Sequence, residues 1–242
     1  WNIDANENTS SQARINITDT ANPEDVFALS NGTFFIKGNL TLTYPTAQNI
    51  NLTYNGSSEC NITWSKEGTI GAVELRYSND SAGVYPTSHT IGNVTDGVTT
   101  YYNWPLPDDI DSNFSVRIFD KNDTAVNSTS ANLFAIKGTI QLLQPNTSIS
   151  LLKGVSQDIK FRTRGSYHKN INISYRNLST NEWIPIVNLT AGADNETVTY
   201  PWDVPDDITT NASLKIATNE SAAILNINTT SPVEFRIKGS VL

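Results

Sequence analysis

Apolar and polar residues alternate in short runs along most of the chain. Between residues 39 and 138 the runs are Leu40, Leu42 and Tyr44; Ile62 and Trp64; Val73, Leu75 and Tyr77; Phe114, Val116 and Ile118; and Leu133 or Phe134 to Ile136. A period of two residues is typical of strands with one buried face. No helical period of 3.6 residues persists for ten residues, so the pattern predicts an all-β fold.

Residues that favour turns separate these runs. They are Asn55-Gly56-Ser57, Lys66-Glu67-Gly68, Ser78 to Ser81, and Asp108-Asp109. Gly, Asn and Asp supply the backbone conformations that tight turns require, and here they recur at spacings near those of a β-sandwich. We therefore expect two packed sheets rather than an open sheet.

A closing signature occurs three times, at 35–38, 134–138 and 235–239, each ending in Ile-Lys-Gly. Trp104 and Trp202 occupy equivalent places before the last two copies, and Trp1 aligns with both. The period of about 100 residues is the size of one small domain. It predicts the end of an incomplete unit at 1–38, complete units at 39–138 and 139–239, and the start of a following unit at 240–242. We expect the sequence to be a window from a longer array.

The incomplete unit contains Ala13, Ile15 and Ile17, then Phe34 and Ile36, as matches to the last strands of a complete unit. An isolated hairpin of this kind is not stable in water. Either an upstream segment or a neighbouring subunit that donates strands must complete it. Each Lys-Gly junction runs directly into the next apolar strand without a flexible linker, which predicts closely stacked units in a semi-rigid rod.

Trp104 and Trp202 are each followed by proline-rich turns, and large aromatic rings in sandwiches usually fill the space between the sheets. We expect both rings in the core rather than on a ligand platform. The prolines after them are expected at strand ends or sheet edges, where no ladder donor is needed.

The net charge is −8 with a pI near 4.7, and Lys and Arg are not clustered, so a nucleic-acid partner is not expected. No stretch approaches the roughly 18 to 20 apolar residues of a membrane span. The single Cys60 cannot form an internal disulfide, which leaves a secreted location possible.

An enzymatic function is not expected. The two histidines, His89 and His168, fall in loop-like stretches of different units, where neither is placed to activate a nucleophile. The adjacent acids Asp108-Asp109 and Asp206-Asp207 follow proline in both complete units and are interpreted as turn residues, because neighbours on a strand point to opposite sides.

Asn-x-Ser/Thr sequons are in threefold excess. With 29 Asn and 52 Ser plus Thr among 242 residues, chance placement gives about six sequons, whereas the chain has 20. Strand alternation explains part of the excess, but not why a poor strand former such as Asn is chosen so often. We predict N-glycosylation. The candidate sites are Asn8, Asn16, Asn31, Asn39, Asn51, Asn55, Asn61, Asn79, Asn93, Asn113, Asn122, Asn127, Asn146, Asn172, Asn177, Asn188, Asn195, Asn211, Asn219 and Asn228.

One loop has a possible cation site. Asp120, Asn122 and Asp123 bring several oxygens together, as Ca²⁺ prefers, but the run is short and has no closing Glu at the twelfth position of a calcium loop. We regard it as a weak candidate for Ca²⁺, and no other cofactor is expected.

The residues that carry a family resemblance are Ile62-Thr63-Trp64, Gly68, Val73 to Ser78, Tyr102 to Ile110, Val116 to Asp120 and Phe134 to Gly138. Their pattern resembles the Ig-like repeat of the Ser-Thr-rich GPI-anchored membrane family, which is related to yeast cell-wall-synthesis proteins. That repeat also occurs in tandem in large surface proteins of bacteria and archaea. The resemblance spans the whole sequence and implies tandem Ig-like β-sandwich domains in a rod-like array.

The second complete unit departs from this pattern. Phe161 replaces the first Trp, and Ala217 to Glu220 replace Phe119 to Asn122, so a site at Asp120 is not shared between the units. Such repeats serve in stalks, adhesins and surface layers, and the pattern therefore specifies the fold better than the function.

The leading hypothesis is a structural protein of the cell surface or cell wall, a piece of an N-glycosylated surface-layer or surface-filament protein that assembles with copies of itself. The alternative is an adhesin or carbohydrate-binding stalk, in which Tyr85, Tyr101 and Trp183 would stack on sugars. A third possibility is a linker array appended to a surface enzyme.

Overall fold

The computed structural model describes residues 3–4, 8–165, 170–219 and 225–239, and these residues form 22 strands and one short 3-10 helix, η1 (Thr87–His89). The predicted all-β fold is confirmed. Trp1, His168 and residues 240–242, which entered the sequence predictions, lie outside the described residues. Within the described part, no helix is long and apolar enough to cross a membrane.

The first four strands are short and form two separate two-stranded sheets, in which β1 pairs with β4 and β2 with β3. Their bounds are β1 (Ser10–Ala13), β2 (Asn16–Thr18), β3 (Phe27–Leu29) and β4 (Phe34–Ile36).

The next nine strands cover the first complete repeat. They are β5 (Asn39–Tyr44), β6 (Asn51–Thr53), β7 (Glu59–Glu67), β8 (Val73–Ser78), β9 (Thr90–Val94), β10 (Tyr101–Pro105), β11 (Asp111–Asp120), β12 (Asn127–Thr129) and β13 (Phe134–Lys137). One sheet has the order β10-β7-β5 and the other has the order β6-β13-β11-β8-β9, with β12 also paired to β11.

The last nine strands cover the second complete repeat. They are β14 (Thr139–Gln144), β15 (Ser150–Leu152), β16 (Ser156–Arg164), β17 (Asn170–Asn177), β18 (Trp183–Thr190), β19 (Thr197–Asp203), β20 (Thr209–Thr218), β21 (Asn228–Thr230) and β22 (Phe235–Lys238). Their sheets have the orders β14-β16-β19 and β15-β22-β20-β17-β18, with β21 also paired to β20.

The two repeats therefore have the same topology, strand for strand, although their sequences diverge. In each, β6 or β15 joins its sheet by parallel pairing with the closing strand, and the remaining pairs with described register are antiparallel. This arrangement of two packed sheets is an Ig-like β-sandwich.

The second repeat shows how alternation builds the core. Ile159 and Phe161 of β16 face Ile173 of β17 and Leu214 of β20 across the sandwich, and all four side chains are fully buried. At about 25 cal/mol per Å² of buried apolar surface, such side chains are the main favourable term in folding. Most of the alternate positions along these strands are polar and lie on the outer faces, as Lys160 and Arg162 of β16 and Lys215 of β20 do.

Both predicted core tryptophans are buried, which confirms their assignment. Trp104 is 3% exposed and lies 5.4 Å from Tyr77, and Trp202 is 4% exposed and lies 5.4 Å from Tyr175, measured between ring centroids. The same aromatic pair thus recurs in the two repeats. Pro105 ends β10, an edge strand, where its missing N–H costs no ladder bond.

The chain divides into two compact units that do not follow the repeats. The first unit comprises Trp1–Gln48, Asn61–Trp104 and Ser115–Leu133, and the second comprises Asn49–Cys60, Pro105–Phe114 and Phe134–Leu242. Both therefore take residues from the predicted unit 39–138. The predicted boundaries at 38, 138 and 239 stay a prediction.

The N-terminal strands reproduce the end of a complete repeat in register. Ser10 pairs with Ile36 and Ala13 with Phe34, with an irregularity between them, and the β11–β13 and β20–β22 pairs have the same spacing and the same irregularity. A serine contact also recurs: the N–H of Ile15 donates to Oγ of Ser30, as that of Val116 does to Ser130 and that of Leu214 to Ser231.

Equivalent positions differ sharply in burial. Ile17 is 69% exposed, whereas its counterparts Ile118 and Ile216 are fully buried. The N-terminal segment thus has the local pairing of the fold without the opposing sheet that covers these side chains elsewhere. That a further segment completes it stays a prediction.

These exposures generate a stability prediction. Ile118→Ala should lower the free energy of unfolding by about 2–5 kcal/mol, because it leaves a cavity in a packed core. Ile17→Ala should change it by less than about 0.5 kcal/mol, because the side chain is already in water. Urea titration followed by tryptophan fluorescence measures both, and equal losses for the two variants would contradict the assignment.

Candidate glycan-bearing surface

The sequon asparagines lie mainly on the outside of the folded chain. Of the 20, 16 are exposed, Asn79, Asn113 and Asn172 are half-buried, and Asn177 is buried. Twelve belong to strands and eight to turns or loops. On a strand the first and third residues of a sequon share one face, so an exposed Asn brings its Ser or Thr hydroxyl to the same side.

Asn177 is the exception, and its surroundings explain why. The side chain is 6% exposed, its Nδ2 donates to Oδ1 of Asp207 at 2.7 Å, and its Oδ1 accepts from the N–H of Ser179 at 3.0 Å. Asp207 also lies near Tyr175, whose pKa is raised by burial and further by this carboxylate. A glycan on Asn177 would displace these contacts, so the fold disfavours this site.

Several sequons share rows across the outer faces of the sheets. In the first repeat Phe119 of β11 lies opposite Glu74 on one side and Asn127 on the other, and Glu74 lies opposite Asn93. Asn93 and Asn127 are therefore at the two ends of one cross-strand row. Cross-strand neighbours have Cβ atoms roughly 5 Å apart, close enough for attached groups to touch the next side chain.

The equivalent row in the second repeat contains Asn188, Asn172, Ala217 and Asn228. Nδ2 of Asn172 donates to Oδ1 of Asn188 at 2.7 Å, so these two sequon side chains are in contact. The surface thus carries candidate attachment sites in rows. The residue paired with the last asparagine of the row differs, since Asn127 pairs with Phe119 and Asn228 pairs with Ala217.

The candidate cation loop is held by its own backbone and by a lysine. Oδ1 of Asp120 accepts from the N–H of Asn122 at 2.9 Å, and Oδ1 of Asp123 accepts from the N–H of Ala125 at 3.1 Å. The second carboxylate oxygen of Asp123 lies 2.7 Å from Nζ of Lys37, which lowers the pKa of Asp123. Among the described residues no three His, Cys, Asp or Glu side chains are grouped to hold a metal. The Ca²⁺ site stays a prediction from sequence.

The three aromatic residues considered for sugar binding lie in different surroundings. The ring of Tyr85 is covered by the guanidinium of Arg117 at 4.1 Å, and its hydroxyl is 2.6 Å from Oγ of Ser115. Trp183 lies under Arg176 at 4.7 Å and Lys215 at 4.5 Å. Tyr101 is 55% exposed on β10. Cations therefore already occupy the faces of two of the rings.

The second acid pair and His89 have structural contacts. Asp206 forms a 2.8 Å ion pair with Lys153, and Asp207 accepts from Asn177. The ring of His89 stacks on Tyr77 with centroids 4.4 Å apart. The interpretation of both acid pairs as turn residues stays a prediction.

Cys60 is a free, buried thiol on β7, and burial raises its pKa to about 11. The thiol rather than the thiolate therefore dominates at neutral pH, and the side chain behaves as a small apolar core residue.

No protein-family model matches the chain, and no curated protein matches it. Similar solved structures number 188 chains. Fibronectin(III)-like modules of CbhA from Clostridium thermocellum share 11% identity at a TM-score of 0.30, covering 83% of this chain and 94% of theirs. The titin segment A168169 shares 16% sequence identity at a TM-score of 0.31, and the match covers 84% of this chain and 97% of the titin segment. The teleost fish polymeric Ig receptor ectodomain shares 9% sequence identity at a TM-score of 0.30, and the match covers 84% of this chain and 100% of the receptor ectodomain.

These three similarities are weak, and we base no functional conclusion on them. The Ig-like fold rests on the strand order and the packed sheets described above. The Ser-Thr-rich GPI-anchored family itself stays a resemblance in sequence pattern.

The contacts of Asn177 predict a structural role. Asn177→Ala should lower the free energy of unfolding by about 1–3 kcal/mol, because the Asp207 carboxylate and the Ser179 N–H both lose a partner. Asn211→Ala, at an exposed sequon of the same repeat, should change it by less than about 0.5 kcal/mol. Denaturant titration distinguishes them, and a neutral Asn177→Ala variant would contradict the structural role.

The raised pKa of Cys60 predicts slow alkylation. With a folded pKa of about 11, roughly one thiol in a thousand is ionised at pH 8, and the thiolate fraction rises as the pH approaches 11. Iodoacetamide should modify Cys60 at least about 100-fold more slowly at pH 8 in the native protein than in the urea-unfolded protein, where the pKa of the thiol is ordinary. Mass spectrometry measures both rates, and equal rates would show that Cys60 is accessible.

Proposed function

We propose that the chain is a segment of an N-glycosylated structural protein of the cell surface, in which Ig-like units repeat along the polypeptide and assemble with copies of themselves. The observation that carries the proposal is the exposure of 16 of the 20 sequon asparagines in the folded chain. A threefold excess of sequons would be of no use to glycosylation if folding buried them. Attached glycans would hydrate the outer faces of an exposed assembly.

Close contacts across the junctions support a chain of stacked units. A side chain on Gly38, the last residue of the first closing signature, would meet Ile70 at 2.8 Å and the carbonyl of Glu67 at 2.9 Å. At the next junction, a Cβ on Gly165, which has a φ of +97°, would lie 2.9 Å from Ile110. A larger residue at either glycine would collide with these neighbours, and at Gly165 it would also need a strained backbone conformation. Such packing restricts hinge motion at the junctions.

An ion pair lies at the first junction. Lys37 of the closing signature lies 2.7 Å from Asp123 and 5.9 Å from the ring centroid of Phe35. Both charged side chains are partly exposed, so the pair contributes orientation more than stability. The exposed apolar side chains of β2 and β3, including Ile17, Phe27 and Leu29, are a further surface on which assembly could occur.

The alternative of an adhesin or sugar-binding stalk has less support. Tyr101 is an exposed ring, but Tyr85 and Trp183 are covered by cations and belong to different repeats. An open binding groove needs several uncovered groups that converge on one ligand. The contacts therefore favour the structural proposal.

The test is a site-by-site glycan map of the protein isolated from its natural source. Peptides that contain the sequons should be heavier than their bare sequences and should lose this extra mass on deglycosylation. Glycopeptide mass spectrometry should find sugars on most of the 16 exposed asparagines and none on Asn177. Sequon peptides found only at their bare masses would overturn the proposal.

A further inference from the structure

Phe119 is a half-buried aromatic side chain on the outer face of β11, where a polar residue would be expected. Its strand neighbours Ile118 and Asp120 are buried and point inward, so the ring lies on the opposite face from the core. Directly across the ladder is Asn127 of β12, a sequon asparagine that is exposed.

The surface around this ring is concave and rich in cations. A cavity of about 380 Å³ has seven lining residues, which are Glu74, Arg76, Arg117, Phe119, Lys121, Thr124 and Asn127. The guanidinium carbons of Arg76 and Arg117 lie 5.3 and 5.9 Å from the centroid of Phe119. The cations that cover Tyr85 and Trp183 are closer, at 4.1 to 4.7 Å, so the ring of Phe119 is less covered than those two rings. In a chain of net charge −8, a cavity lined by three cations and one carboxylate is a local departure from the general surface.

The cations are held in place by neighbouring groups. Nε of Arg117 donates to Oγ1 of Thr129, the hydroxyl of the Asn127 sequon, at 2.7 Å. Nε of Arg76 donates to Glu74 at 2.7 Å, and this contact lowers the pKa of Glu74. Each guanidinium has further N–H groups, because only part of its five donors is used by these bonds.

We propose that the N-glycan attached to Asn127 folds back onto this surface, with its first sugar packed on the face of Phe119 and its hydroxyl groups accepting hydrogen bonds from Arg76, Arg117 and Lys121. The inference rests on the proposed function, since it requires a glycan at Asn127. It goes further by assigning a protein-side binding site to one particular glycan.

The chemistry of both partners fits. A pyranose ring presents C–H groups on one face, and these carry partial positive charge that the negative face of an aromatic ring attracts. Asn127 and Phe119 are direct cross-strand partners, so their side chains share one face with Cβ atoms roughly 5 Å apart. The attachment atom, Nδ2 of Asn127, donates to the carbonyls of Thr124 and Ala125 at 3.1 and 3.2 Å, and a glycosylated amide keeps one N–H for such a contact. Guanidinium and ammonium groups are donors only, which suits sugar oxygens.

The second repeat supplies an internal control. Asn228 occupies the place of Asn127, but its cross-strand partner is Ala217 instead of Phe119. A glycan on Asn228 therefore has the same local backbone and no aromatic face to pack on.

The experiment compares the two sites in one molecule. The protein is produced in a host that adds N-glycans, and an amidase that cleaves the bond between Asn and the first sugar is applied under native conditions. Site occupancy is followed by mass spectrometry. In the wild-type protein the Asn127 glycan should be released about 2- to 10-fold more slowly than in Phe119→Ala, the range that one aromatic contact supports. Release at Asn228 should be the same in both.

A reciprocal substitution guards against misfolding. Ala217→Phe should slow release at Asn228 by a similar factor and leave Asn127 unchanged, and both sites should be released at equal rates in urea. If Asn127 is occupied but its release is unaffected by Phe119→Ala, this inference is overturned while the proposed glycosylation stands. If Asn127 carries no glycan, both the inference and the glycosylation of that site fail.

Discussion

The structure depends on one geometric constraint, that successive side chains of a strand point to opposite faces. In β11 this places Val116 and Ile118 in the core and Arg117 and Phe119 outside. Because each sheet must bury one face against another, the apolar half of the alternation builds the sandwich. The polar half is left on the surface, where a sequon of the form Asn-x-Thr presents its Asn and its hydroxyl together. The buried core and the exposure of the sequons on strands thus follow from the same periodicity.

The constraint also explains the behaviour of the N-terminal segment. Its strands have the pairing, the irregularity and the serine contact of a complete repeat, all of which are local. Burial is not local, since it requires the opposing sheet, and Ile17 remains 69% exposed. In the described residues this segment therefore has the hydrogen-bonded pairing of a complete repeat without the hydrophobic contacts that stabilise that pairing elsewhere, and a two-stranded sheet alone is at best marginally stable in water.

The positions of the longer strands and the core tryptophans could be predicted from the sequence, because they depend on alternation and residue size. The order of the strands in each sheet could not, because it depends on pairing between residues far apart in the chain. Short strands such as β6 and β12 could not, since three residues give too little periodicity to recognise. The serine contacts at Ser30, Ser130 and Ser231 were equally hidden, because a lone serine beside a strand is common. The fold places the hydroxyl oxygen of each serine against a backbone N–H, that of Ile15, Val116 or Leu214.

The sequence by itself determined that the chain repeats, that its repeats are β-sandwiches and that its surface is rich in sequons, because periodicity and motif are properties of neighbouring residues. Only the tertiary structure decided which sequon asparagines are exposed. Asn177 and Asn127 are alike in sequence, yet one is buried against Asp207 and the other lies exposed beside Phe119. The difference arises from residues about 30 and 8 positions away in the chain, which only strand pairing and turn packing bring into contact.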